Sequence, residues 1–127
     1  IHYAIGNFIN DAIFNDKIII NGNGLPYRSY LYISDTIIWL IKLLVGSEEG
    51  VYNVGSERRI QIIELANIVR DLIDPSKKII IQENEIHEGN FKRDVYLPNT
   101  TKIREALKVK EWTSLEDAIL KTTKFTV

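Results

Sequence analysis

Residues 21–35 read NGNGLPYRSYLYISD, and the rest of the chain takes its order from them. Two short extended runs, 17–20 and 29–32, flank a connection containing Gly22, Asn23, Gly24 and Pro26, residue types that supply turns because they tolerate positive φ or fix it in advance. Ser34 and Asp35 then open an apolar helix, Ser34 as an N-cap and Asp35 as a charge suited to the positive helix end. One cation, Arg28, stands at the mouth of the turn, ahead of an aromatic-rich run. Its planar fork of donors suits two-point binding of a phosphate or carboxylate. The alternative is an arginine solvated on a hairpin.

Upstream of this stretch, Ile5, Phe8, Ile9, Ala12 and Ile13 recur at three- and four-residue spacing and predict an amphipathic helix over 5–15; the β-branched run 18–20 predicts a buried strand. Downstream, the helix over 35–45 holds Ile37, Ile38, Trp39, Leu40, Ile41, Leu43, Leu44 and Val45, so it is apolar on nearly every side. Such a helix is normally covered all round, and in a chain this short it predicts an exposed apolar patch or self-association as a homodimer. Gly46 and Gly50 bracket a polar loop, and 51–54 reads as a short strand running into Gly55 and Ser56. A second amphipathic helix over 62–73 buries Ile62, Leu65, Ala66, Val69, Leu72 and Ile73 and is stopped by Asp74 and Pro75. A strand over 78–82, a polar loop over 83–92 and a short helix over 101–107 follow; Thr113-x-x-Glu116 reads as a capping box that launches a last helix to about Lys124. Helices separated by short strands define an α/β class.

Composition removes several functions. The 127 residues carry a net charge of −1, with a pI near 6.2, which argues against a nucleic-acid binder. The absence of cysteine excludes disulfides, thiolate metal sites and cysteine nucleophiles. The longest apolar run, 37–45, is broken by Lys42 and too short to span a bilayer; no signal-peptide pattern is present, and a cytoplasmic location is the expectation. His2 and His87 are isolated, so no metal site is expected. Glu83, Glu85 and Glu88 form an acidic loop without a calcium-loop pattern, and Asp11 and Asp16 look like solvent-face helix residues. The chain starts at Ile1 and contains no methionine, which is read as an origin inside a longer protein.

The pattern Gly22-x-Gly24-x-x-x-Arg28-Ser-Tyr-Leu-Tyr-x-Ser-Asp35, with AIGNFI at 4–9, GVYNVGSE at 50–57 and IIELANIV at 62–69 in the same order, resembles the C-terminal half of extended short-chain dehydrogenases, the NAD-dependent nucleotide-sugar epimerases and dehydratases. The resemblance covers nearly the whole chain. It implies that 1–127 is a C-terminal substrate-binding portion: a small mixed α/β domain, plus a helix and a strand (51–54) that complete a Rossmann sheet whose NAD-binding domain lies outside this chain. It places Arg28 on the diphosphate of a nucleotide-diphosphate sugar, Asn53 at the edge of the nucleotide pocket, and the backbone of Ile20 and Asn21 against the base. Asn53 is equally well read as an asparagine satisfying a strand end. At Ala4, Ile5 and Gly6, free N–H groups of a starting helix suit a phosphate oxygen; Ile5 is taken as the candidate there.

One departure concerns a second family arginine. Family members often read Arg-Tyr-(Val/Ala)-Pro, whereas this chain has Val95-Tyr96-Leu97-Pro98, and valine cannot donate to phosphate. Arg93, two residues earlier, would point to the same side of an extended run and substitute for it, or else be a solvated loop arginine. No Gly-rich dinucleotide fingerprint opens a helix, and none of the six tyrosines has a lysine four residues later. The resemblance therefore implies NAD in a parent enzyme that oxidises the sugar at C4 to a keto intermediate, with this portion inactive alone and no catalytic residue in it. The Arg-Ser-Tyr-Leu-Tyr string is nearer the dehydratase branch. Two alternatives stay open: a non-catalytic nucleotide-binding or interaction module of related fold, and an unrelated small α/β domain in which Arg28 binds nothing.

Overall fold

The computed structural model describes residues 3–46, 49–82, 95 and 97–126. Helix α1 (Ala4–Phe14) leads into strand β1 (Lys17–Asn21), and helix α3 (Ile62–Ile73) leads into strand β4 (Lys78–Gln82). The two strands are parallel, in register from Lys17↔Lys78 to Asn21↔Gln82. A parallel pair needs a long crossover, and here the crossover carries β2 (Tyr27–Arg28), α2 (Ile33–Val45), β3 (Ile60–Gln61) and α3 itself. The apolar stripes of α1 and α3 close on this sheet, burying Phe8, Ile9 and Ala12 against Ile18, Ile20, Leu65, Ala66 and Val69. Helix α5 (Leu115–Thr126) adds Leu115 and Ile119 to the same core. Burial of each large aliphatic chain stabilises by about 1.5–3 kcal/mol.

The helix over 62–73, the strand over 78–82 and the short helix α4 (Thr101–Leu107) form where the sequence pattern places them. The hairpin does not. Runs 17–20 and 29–32 are not partners: β1 pairs with β4, while β2 pairs antiparallel with β3 (Tyr27↔Gln61, Arg28↔Ile60), and 29–32 forms no strand. The turn itself explains this. Gly24 O accepts from Ile63 N at 2.9 Å, and Pro26 O accepts from Ile62 N at 3.1 Å. These are first-turn amides of α3, which have no acceptor within their own helix. The glycine-rich connection is thus spent capping α3. Gly24 has φ +73°, and a Cβ there would lie 3.1 Å from Ile63 Cβ, so both conformation and space call for glycine.

Capping also differs at two helices. Helix α2 starts at Ile33 with Tyr32 as its N-cap, leaving Ser34 inside the first turn. Asp35 is buried, 1% exposed, and accepts from Trp112 N (2.9 Å), Thr113 N (2.9 Å) and Thr113 Oγ1 (3.2 Å). Its partners are therefore a segment 77 and 78 residues away. Because Asp35 holds Thr113, Ser114 caps α5 instead: its Oγ accepts from Asp117 N at 3.0 Å, and its carbonyl accepts from Ala118 N. Glu116, expected in the capping box, pairs with Arg58 at 2.7 Å.

A second, smaller core gathers Trp39, Ile103 and Val109, with Leu31, Leu43, Tyr52, Val54 and Leu107 packed on it. Residues 51–54 reach it without pairing to any strand among the described residues, so the expected strand is absent there. Helix α2 buries only Asp35 and Trp39 and exposes Ile37, Leu40, Ile41 and Leu44, the last by 83%. This is the apolar patch its composition predicts. Asp11 is more than a solvent-face residue: its Oδ2 accepts from Ile19 N at 3.1 Å, covering the edge of β1 that faces away from β4. His2, His87 and the three loop glutamates lie outside the described residues. Among the described residues, no helix is long and apolar enough to cross a membrane.

Candidate functional site

The first turn of α1, the end of β1, the 22–26 turn and the segment following β2 enclose a cleft of about 1030 Å³. Arg28, Ile5 and Asn21, from three different elements, line it together. Arg28 enters from β2, whose ladder to β3 fixes its backbone, and its Nη1 donates to Tyr27 O at 2.7 Å. Ile5 enters from α1. The first bond within that helix runs from Asn7 N to Tyr3 O at 3.1 Å. The amides of Ala4, Ile5 and Gly6 precede that bond, and they form the positive end of the helix dipole.

Alternation along β1 separates the three residues at its end. Ile19 and Asn21 line the cleft, whereas the Ile20 side chain is wholly buried in the core. Backbone groups alternate in the same way: Ile19 N meets Asp11 on one edge, and Gly22 N donates to Gln82 O on the other. Ile20 shares the edge of Gly22, so its N–H and C=O face β4. The expectation that Ile20 offers backbone groups to a base is corrected on this ground. The Asn21 backbone lies on the opposite edge, away from β4.

Asn53 is not among the residues lining the cleft. Its Nδ2 donates to Asn99 O at 3.1 Å and ties the 51–56 segment to the approach of α4. Next to it, a Cβ on Gly55 would lie 2.7 Å from Pro98 Cγ, so these two segments touch with no room for a side chain. Arg93 lies outside the described residues. Val95 forms an isolated bridge to Tyr27, which sets the backbone at 95 beside β2 and its neighbour Arg28.

Asn7, Asn23, Ser29 and Tyr30 also line the cleft, although none was among the expected site residues. Asn23 Oδ1 accepts from Leu25 N at 3.0 Å and shapes the turn. Tyr30 is half-buried, and burial raises its phenol above the ordinary value while the nearby Arg28 charge partly opposes the rise. Tyr30 also lines a smaller pocket of about 210 Å³ with Leu31, Thr113, Ser114, Leu115 and Thr122. Its signal in the sequence is only its place two residues after Arg28.

No cluster of three potential metal ligands occurs among the described residues. The Gly22-x-Gly24 pair follows a strand, but it leads into β2, whereas a dinucleotide cradle sets its pyrophosphate on the helix that follows the glycines. What the cleft combines is a guanidinium, a helix N-terminus, neutral amides and hydroxyls, and apolar walls from Ile19, Ile33 and Ile62.

No family model matches the chain. Its fold is that of the C-terminal part of the extended short-chain dehydrogenases, and its relatives in sequence and in fold are nucleotide-sugar decarboxylases, epimerases and dehydratases of that family. In sequence it is similar to UDP-glucuronic acid decarboxylase 5 of Arabidopsis thaliana, 31% identical over 104 residues that make up 82% of this chain and 29% of that protein. In fold it is similar to the UDP-glucose 4-epimerase of Thermotoga maritima, solved with UDP-glucose, with a TM-score of 0.85, 18% identity and coverage of 98% of this chain and 39% of that one. The UDP-glucuronic acid 4-epimerase of Bacillus cereus, solved with UDP-glucuronic acid and NAD, matches at a TM-score of 0.81 and 17% identity, over 99% of this chain and 41% of that one. The chain thus spans less than half the length of each. Decarboxylases were not among the activities expected from the sequence motifs.

Proposed function

We propose that residues 1–127 form the substrate-binding portion of an NAD-dependent enzyme acting on a nucleotide-diphosphate sugar, and that the NAD-binding Rossmann domain lies elsewhere in the protein. The observation that supports this most is the meeting of Arg28 with the first turn of α1 in one cleft. An anion at a helix N-terminus is stabilised by open amides and the helix dipole, and a guanidinium adds charge-assisted, two-point hydrogen bonds. A diphosphate carries enough oxygens to use both. The apolar walls and the amides then suit the nucleoside.

The relatives' names suggest a UDP-sugar, with UDP-glucuronic acid as the first substrate to test. The whole protein is proposed to work in the cytoplasm through a 4-keto sugar, and this chain offers no Tyr-x-x-x-Lys pair for that step. The side chains described here bind and orient; the proton and hydride transfers are assigned to the remainder of the protein. The exposed face of α2 is proposed to pack on that remainder, or on a second copy in a homodimer.

Competition tests the reading. UDP-glucuronic acid is expected to bind, and inorganic pyrophosphate to displace it, because both occupy the Arg28 end of the cleft. Binding that pyrophosphate does not disturb would count against a diphosphate site.

A further inference from the structure

The cleft holds two asparagine amides that the fold leaves unengaged. Asn7 lies on α1, just past the turn that carries Ile5, and Asn21 closes β1; both line the cleft. The third asparagine of the cleft has a fixed duty: Asn23 Oδ1 holds the turn through Leu25 N. Asn7 and Asn21 have no side-chain partner among the described residues. Both stand on regular elements that pack on each other, so their positions are fixed by the core and not by a ligand.

Resting on the proposed nucleotide-sugar reading, we propose that Asn7 reads the base edge of the nucleoside, and so sets which nucleotide the cleft accepts. The chemistry separates this role from that of Arg28. The doubly esterified diphosphate of a nucleotide sugar presents only acceptors at neutral pH, so it would use the amide NH2 and leave the amide carbonyl of Asn7 unsatisfied. A base edge presents donors and acceptors side by side, as uracil does with N3–H between two carbonyls, and a carboxamide meets such an edge with one donor and one acceptor. Arg28, with donors alone, suits the other end of the ligand. The side chains of Ile19 and Ile62 line the same cleft and supply apolar surface for the ring faces.

The test compares UDP, ADP and inorganic pyrophosphate on the wild-type protein and on Asn7→Leu, which keeps the size of the side chain and removes its hydrogen bonds. Wild type is expected to bind UDP and ADP unequally. In Asn7→Leu the preferred nucleotide is expected to weaken by about three- to tenfold, the difference between nucleotides to shrink, and pyrophosphate to be unchanged. A fold-independent reading comes from wild-type protein alone: the Asn7 side-chain NH2 resonances are expected to shift on titration with the preferred nucleotide and to stay still with pyrophosphate. An equal loss of pyrophosphate affinity would overturn the assignment, as would an unmoved amide together with unchanged nucleotide affinity. If wild type binds neither nucleotide nor pyrophosphate, the proposed function itself fails, and this assignment with it.

Discussion

The two cores of this protein are built by different means. The larger one packs α1, α3 and α5 on the β1–β4 pair through aliphatic stripes, with Ile18, Ile20, Leu65 and Val69 fully buried. The smaller one sets Trp39 at its centre and holds it with polar ties over long sequence distances. Trp39 Nε1 donates to Lys110 O at 2.9 Å; the Arg104 guanidinium lies 5.2 Å from the Trp39 ring and donates to Glu111 and Thr100; Glu57 accepts from Thr100 N and Oγ1; Asp35 holds residues 112 and 113. The larger core shapes the cleft, while the smaller one anchors a helix whose outer face is left open. A region can therefore be ordered by directed hydrogen bonds where apolar cover on one side is missing.

Truncating one residue in each core breaks the comparison most directly. Leu65→Ala opens a cavity in the larger core and is expected to cost about 2–5 kcal/mol in denaturant unfolding. Asp35→Ala leaves two backbone amides without their acceptor and is expected to cost about 3 kcal/mol, while Asp35→Asn, which keeps an acceptor oxygen, costs less. Hydrogen exchange sharpens the contrast: Asp35→Ala is expected to lower protection in α2 and α4 while α1, α3, β1 and β4 keep theirs. Uniform loss would mean that the two cores unfold as one.

Gly55→Ala is expected to have a smaller effect, about 1–3 kcal/mol, because Pro98 must move away from the new Cβ. Thermal melting of this variant beside an exposed-site control reports it. Acid gives the smallest effect. The bonds from Thr100 N and Oγ1 hold the Glu57 carboxyl below its ordinary value of about 4.5, so its contribution to stability is full above that value and fades as pH falls through the lower folded-state value. Denaturant midpoints taken from pH 6 to pH 3 are expected to fall more steeply for wild type than for Glu57→Gln.

What the sequence revealed follows the same division. Stripes of period 3.6 and the β-branched KIII runs locate α3, β1 and β4, because those elements are specified locally by their own burial pattern. Residues 27–28 are a two-residue strand whose partner lies more than 30 residues on, so the local pattern suggests a hairpin that the fold does not make. Thr113 looks like a helix cap until its hydroxyl and amide are claimed by Asp35, which no local pattern announces. At the cleft, Arg28 stood out by its charge, Ile5 by its place at a helix start and Asn21 by the family resemblance, and all three line the cleft wall. Ile20 was misjudged because the direction of its backbone depends on which edge β4 occupies. Asn7 and Tyr30 were not singled out beyond the strings that contain them, since an asparagine on a helix and a tyrosine beside a turn are common on any surface.

The central claim is that Arg28 and the start of α1 form one diphosphate site. Calorimetric titration of wild type and Arg28→Ala with UDP-glucuronic acid tests it most directly. Loss of a charge-assisted pair of hydrogen bonds predicts a rise in Kd of about ten- to a hundredfold, with the melting temperature little changed. An unchanged Kd in a folded Arg28→Ala variant would contradict the account.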